Sequence, residues 1–288
     1  MTQPIRLLAI DIDGTLLTSK FEVAERDLTA LRRAHASGVE IILCTGRRHM
    51  FALPIAEQLG FEVWLCSSNG AVTRSSSGAS FHRDLLPAET ARQLCVHMAA
   101  FRGSTVLTFD KATAGALVVE RTDEMPPAVS KWMEKNAPYI EVVKPLEAAL
   151  GGRPGVDPGI DPIQAMVCGT VERMRAAAEV LDRFAARESI TVLKTEYVRR
   201  DFSLLDMLNR DCSKGHAVER WANFRGIPRE QVMAIGDNFN DVEMLEFAGV
   251  PVIMGNACDE LKQNGWMVTA SNDECGVAGA IERVLGSG

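Results

Sequence analysis

No stretch of this chain approaches the roughly 20 consecutive apolar residues that a membrane-spanning helix requires. No lysine/arginine run stands out either: 31 basic residues stand against 38 acidic ones, for a net charge of −7. A nucleic-acid or anionic-membrane partner is therefore not expected, and bound metal is expected to offset part of the negative charge. The seven cysteines (44, 66, 95, 168, 212, 258 and 275) include no CxxC pair, and their number is odd. Neither a disulfide framework nor a zinc site is suggested, and a reducing cytoplasm is the expected location. Cys44 and Cys212 lie close to motifs described below and read as buried, inert thiols. Asp11 and Asp13 interrupt what would be the apolar region of a secretory leader. Internal repeats and long disordered tracts are missing as well.

What is present reads as a soluble globular protein, with 47% hydrophobic and 24% charged residues. Its 288 residues exceed the usual single-domain size, so two domains are expected. Short, almost wholly apolar runs recur at 7–12, 39–44, 63–66, 232–235 and 250–254. Continuous apolarity at strand length marks a sheet covered on both faces. Helical patterns alternate with these runs, at 25–37, 49–59 and 240–247, and each stops at or just before a glycine. Strand and helix in alternation predict a doubly wound α/β sheet.

Polar residues fall where these strands end. The first run leads into Asp11 and Asp13, the second into Thr45-Gly46-Arg47, the third into Ser67-Ser68-Asn69-Gly70, and the fourth into Gly236-Asp237. Open α/β sheets bind ligands outside the carboxyl ends of their strands, so four such clusters describe one site. Asp11 and Asp13 are spaced by one residue, which on a strand places both side chains on one side. Two neighbouring carboxylates at a buried strand end persist only if a cation or a proton relieves their repulsion. Hard oxygen donors suit Mg²⁺, which leaves room for water and substrate phosphate, and this points to phosphoryl chemistry. A plain Asp-Gly turn is the competing reading. A calcium loop running from Asp11 to Glu22 fails, because Thr15 and Leu16 stand where an acid or amide and a glycine belong.

Between residues 84 and 208 the pattern changes. Shorter strands are expected at 104–109, 116–120, 163–168 and 191–195, separated by helices at 127–136 and 171–188. Segment 151–159 is a loop by its glycine and proline content. The expected organisation is a core of residues 1–83 and 209–288, with 84–208 inserted as a smaller α+β domain.

Taken in order, the Asp11–Thr15 segment, Thr45-Gly46-Arg47, Ser213-Lys214-Gly215 and the Gly236–Asp241 segment resemble the four motifs of the haloacid dehalogenase superfamily of phosphohydrolases. The insertion resembles the cap of its Cof-like branch, with Asn69-Gly70-Ala71 and Gly255-Asn256-Ala257 as supporting marks. The resemblance runs nearly end to end and implies a Rossmann-like core with an α+β cap. It further implies a Mg²⁺-dependent phosphatase in which Asp11 attacks phosphorus and Asp13 protonates the leaving alcohol, then activates water. Mg²⁺ would be held by the Asp11 carboxylate, the Asp13 main-chain carbonyl and the Asp237 carboxylate, with Asp241 as an outer anchor or indirect ligand. Thr45 and Gly46 would donate to the phosphate, Lys214 would supply fixed positive charge, and Asn240 and Asn69 would support the phosphate site, with a left-handed turn residue as the competing reading of Asn69. Arg47 and Arg48 read as surface ion-pairing groups.

By the same resemblance the substrate is a small phosphate ester, sugar phosphates first and nucleotide- or cofactor-like phosphates next. Asp110, Lys111 and Arg199 are candidate substrate-reading residues of the cap. A phosphomutase using the same nucleophile and a catalytically silent binding protein stand as alternatives. One departure is the segment Asn209, Arg210, Asp211 and Cys212, where members of this branch tend to have a glycine-containing turn. It bears on loop shape and substrate fit, not on reaction type.

Overall fold

The computed structural model describes residues 4–123, 125, 127–151 and 159–286, except the side chains of Ala128, Lys131 and Arg199. Residues 152–158 of the expected loop, and the Arg199 side chain, thus lie outside the described residues. The chain divides into two compact units, Met1–Arg83 with Ser213–Gly288, and Asp84–Cys212.

In chain order the first unit opens with β1 (Leu7–Asp11), α1 (Glu25–Ala36), β2 (Glu40–Cys44), α2 (His49–Ala56), β3 (Trp64–Ser67), β4 (Val72–Ser75) and β5 (Ser80–Arg83). The second unit holds α3 (Ala88–His97), β6 (Thr105–Thr108), β7 (Leu117–Val119), α4 (Ser130–Asn136), β8 (Ile140–Val142), β9 (Gln164–Gly169), α5 (Val171–Leu181), β10 (Ile190–Tyr197) and β11 (Phe202–Asn209). The first unit then resumes with α6 (Lys214–Phe224), β12 (Val232–Gly236), α7 (Val242–Phe247), β13 (Val250–Ile253), α8 (Asp259–Lys262), β14 (Met267–Val268) and α9 (Gly276–Leu285).

The first unit's eight strands run β14-β13-β12-β1-β2-β3-β4-β5. All pairs from β14 through β3 are parallel, and β4 and β5 close the sheet as antiparallel additions. Strand alternation divides the side chains between two apolar layers. Leu8 and Ile10 of β1 pack with Leu31 of α1, Ile55 of α2 and Ile281 of α9. Leu7 and Ala9 pack on the other face with Val218 of α6 and Leu245 of α7. Both faces are covered, so the sheet is doubly wound, as the unbroken apolar runs predict. The sequence reading missed the amphipathic helices α3, α6 and α9 and the strands β4, β5 and β11. It extended two helices too far: α2 gives way after Ala56 to a short 3₁₀ turn, and α5 ends at Leu181.

The second unit is α+β, a six-stranded sheet in the order β10-β11-β9-β6-β7-β8. Its pairs are antiparallel except β7 with β8. Leu94 of α3 and Met174 and Leu181 of α5 cover one face through Ala165, Val167, Leu205 and Met207. Asp110 and Lys111 fall in the turn after β6, where the Lys111 ammonium stands 5.4 Å from the centre of the Phe109 ring. Among the described residues, no helix is long and apolar enough to cross a membrane.

Candidate active site

The site is built where β1, β2, β3 and β12 end. β1 and β12 are central, in register from Leu7 with Val232 to Ile10 with Ile235, and wholly buried. Asp11 follows Leu7 and Ala9 in the alternation and so points to the layer of α6 and α7. There it meets Lys214, the first residue of α6, whose N-terminus is capped when the Ser213 side chain accepts from the His216 N–H. Lys214 Nζ donates to Asp11 Oδ1 at 2.6 Å and to Asp241 Oδ1 at 2.7 Å. Asp241 Oδ2 accepts from the N–H groups of Asp237 and Asn238 at 3.0 and 3.1 Å, so both of its oxygens are engaged within the protein.

Two carboxylates therefore share one ammonium, and the Asp237 carboxylate lies beside them. One oxygen from each of Asp11, Asp237 and Asp241 lies within 4.8 Å of the others. Burial, and then the neighbouring Asp241 charge, push the Asp11 carboxyl up to about 7 against the opposing pull of Lys214. Asp237 is raised well above the carboxylate range by burial and by the charges of Asp11 and Asp241. Burial alone would lower Lys214, but the Asp11 and Asp241 carboxylates override it and hold the ammonium charged. Asp11 Oδ2 is buried and has no hydrogen-bond partner among the described residues. An orphaned carboxylate oxygen inside an all-oxygen cluster with excess negative charge fits a hard divalent cation.

Gly14 lets the chain turn away directly after this strand. Its φ is +87°, and a Cβ there would lie 2.4 Å from Asp237 Oδ2. Thr15 Oγ1 donates to Asp237 Oδ1 at 3.2 Å. Asn256 Nδ2 donates to the Gly14 carbonyl at 2.8 Å and reaches Asp237 Oδ2 at 3.5 Å. Thr15 and Asn256 were not among the expected site residues, although both lie within quoted motifs.

Thr45, fully buried, follows β2, and its Oγ1 accepts from the Arg47 N–H at 3.0 Å, which leaves the hydroxyl hydrogen to donate elsewhere. After β3 the chain passes through Ser68, Asn69 and Gly70 with φ of 50°, 53° and 106°. Gly70 is needed there, because a Cβ would lie 2.2 Å from the Ser213 carbonyl at the start of α6. The Asn69 N–H donates to the Thr45 carbonyl at 2.9 Å. Its side-chain Oδ1 accepts from Asn240 Nδ2 at 2.9 Å. Asn69 and Asn240 thus join the Thr45 loop to the segment before α7.

Asp13 departs from expectation. Its carboxylate does not join the Asp11 cluster but pairs with Arg47, whose Nε donates to Oδ2 at 2.7 Å and Nη2 to Oδ1 at 2.5 Å. β1 ends at Asp11, so strand alternation does not carry through to residue 13. Arg47, read as a surface group, stands at the site. Arg48 lies over the Phe51 ring at 4.7 Å.

The haloacid dehalogenase-like hydrolase family model matches residues 8–281. The chain is similar to phosphatase YwpJ of Bacillus subtilis (strain 168), with 31% identity over 98% of this chain and 100% of that protein. It is also similar to the 5-amino-6-(5-phospho-D-ribitylamino)uracil phosphatase YwtE of the same strain, at 25% identity over 98% of each. A solved haloacid dehalogenase-like hydrolase from B. subtilis matches at TM-score 0.78 with 27% identity, covering 97% of this chain and 100% of that one.

Proposed function

Since the chain belongs to the haloacid dehalogenase-like hydrolases and is a phosphoric monoester hydrolase of that family, we propose that it hydrolyses a small phosphorylated metabolite by way of an aspartyl-phosphate at Asp11. The observation that carries this reading is the buried Asp11 carboxylate, held through Oδ1 by Lys214 and without a partner at Oδ2 among the described residues. One oxygen is fixed in place and the other remains for an incoming ligand.

An Asp11 oxygen forms a bond to phosphorus while the bond from phosphorus to the ester oxygen breaks. Asp13 gives its proton to that departing oxygen, then takes one from the water that attacks phosphorus and releases inorganic phosphate. Lys214 holds positive charge beside the transferring group, and the Thr45 hydroxyl and Gly46 N–H donate to its oxygens. A divalent cation, Mg²⁺ by its donor chemistry, would be held by the Asp11 carboxylate, the Asp13 main-chain carbonyl and the Asp237 carboxylate. Bound there, it would neutralise phosphate charge and relieve the repulsion among the carboxylates. Asp241, with both oxygens engaged, anchors Lys214 and the 237–238 backbone.

Sugar phosphates are the first choice of substrate and nucleotide- or cofactor-like phosphates the next. The named substrate of YwtE, a phosphorylated ribityl chain on a pyrimidine, is in keeping with both. All seven cysteines are unbridged, in keeping with action in a reducing cytoplasm. Phosphate release from a panel of sugar, nucleotide and cofactor phosphates, with Mg²⁺ and with EDTA, tests the reading. Release abolished by EDTA and restored by Mg²⁺ is expected, and release indifferent to chelation contradicts the cation's part in it.

The raised Asp11 value sets a pH dependence. A folded-state carboxyl above its unfolded value makes the metal-free protein lose stability as pH rises from the ordinary carboxylate range through about 7. Cation binding needs the deprotonated carboxylates, so its stabilisation grows across the same window. Saturating Mg²⁺ is expected to raise the melting temperature by about 5 °C or more at pH 8 and by much less at pH 5. Equal shifts at both pH values would remove the Asp11 cluster as the binding site.

A further inference from the structure

The proposed reaction needs the Asp13 carboxyl at the ester oxygen, yet both of its oxygens are gripped by one guanidinium. Arg47 has a fixed base from which to hold or release it. Its N–H is bound to Thr45 Oγ1, and its carbonyl accepts from the Ser68 N–H at 2.8 Å. The contacting side chains are only partly buried, 25% exposed for Arg47 and 32% for Asp13, so parting them leaves no charge stranded in the core. The guanidinium fork matches two phosphate oxygens as well as it matches two carboxylate oxygens. Arg47 also stands two residues beyond Thr45, one of the groups assigned to the phosphate.

We propose that the Arg47 guanidinium exchanges partners during the reaction: it clamps Asp13 in the substrate-free enzyme, and the phosphate of the arriving substrate draws it away. Asp13 is thereby released to meet the leaving oxygen only when a phosphate is in place. Arg47 is then a positioning residue for Asp13 as well as a phosphate contact, a part that a surface ion pair does not play. The inference rests on the role given to Asp13 above.

If the two partners compete for one guanidinium, removing the carboxylate must strengthen phosphate binding through Arg47. The test is a calorimetric cycle on the full chain with Mg²⁺ and inorganic phosphate, using wild type, Asp13→Asn, Arg47→Ala and the double variant. Asp13→Asn is expected to tighten phosphate about tenfold with Arg47 present, and about twofold or less in the Arg47→Ala background, where only general charge repulsion is relieved. Equal factors in the two backgrounds overturn the exchange. Arg47→Lys keeps the positive charge but cannot grip two oxygens at once. The cycle repeated with it is expected to show less than about a third of the wild-type coupling, and undiminished coupling overturns the two-point grip. Ester hydrolysis without coupling defeats the exchange alone, whereas coupling in a protein that hydrolyses no ester defeats the phosphatase reading instead.

Discussion

Replacing Asp11 with asparagine is expected to lower phosphate release by about 10⁴-fold or more, the scale on which losing a nucleophile is felt. The same change is expected to leave the metal-free fold as stable as the wild type, or more so. Asparagine keeps the side chain's shape and an oxygen for the Lys214 ammonium, which now lies 2.6 Å from Asp11 Oδ1. It also removes one carboxylate from a cluster of three in which a single buried lysine pairs with two. Burial and the Asp241 charge already raise Asp11 to about 7, so its ionised form is held against an unfavourable field, and the neutral amide escapes that cost. Activity measured with Mg²⁺ and melting temperature measured with EDTA should therefore move in opposite directions. Hydrolysis retained in pure Asp11→Asn protein would remove Asp11 as the nucleophile. Unfolding of the variant would mean that the carboxylate has a structural part the geometry does not predict.

Lys214→Ala is expected to act on both properties in the same direction. Its side chain is 1% exposed and pairs with two carboxylates that are themselves buried. Without it, Asp11 and Asp241 face each other with no cation between them, and breaking a buried pair in this way costs about 3–5 kcal/mol. The loss of the fixed charge at the phosphate is expected to lower kcat by about 10²–10³-fold. Mg²⁺ should restore part of the lost stability, because it offsets the same carboxylates, but little of the activity, because it does not replace the Lys214 ammonium. Melting curves and kcat with and without Mg²⁺ separate the two effects. A variant as stable and as active as the wild type would contradict the constellation itself.

The parts of this molecule legible in the sequence are those where polarity interrupts an apolar run. β1 and β12 are buried on both faces, so an aspartate at or just beyond the end of either needs a chemical reason. That reasoning finds Asp11 and Asp237 without any coordinates. It misplaces the Asp13 side chain, because alternation holds only while the strand lasts and Gly14 turns the backbone immediately afterwards. The pairing of Arg47 with Asp13 was hidden for the same reason, since two turns leaving different strands have no sequence relation to one another.

Thr15 and Asn256 carry little signal in the sequence. Threonine and asparagine are common in turns, and only the fold brings Asn256 to the Gly14 carbonyl, 242 positions away. Helix α6 had a usable signal in the Ser213 cap and in the buried spacing of Val218 and Trp221. Glycine at its second position works against that signal, because it reads locally as a turn. Asn69 is clearer in the structure than in the sequence: its left-handed backbone and its bond to Asn240 make it a brace between two loops.

The most direct test of the account is chemical trapping of the covalent intermediate. Enzyme mixed with its best panel substrate and Mg²⁺ is quenched in acid during turnover, reduced with borohydride and mapped by peptide mass spectrometry. An acyl phosphate is reduced to an alcohol, and the account predicts this change at Asp11 alone, absent when substrate is omitted. Turnover under the same conditions with Asp11 unmodified, or with the label on another side chain, would contradict it.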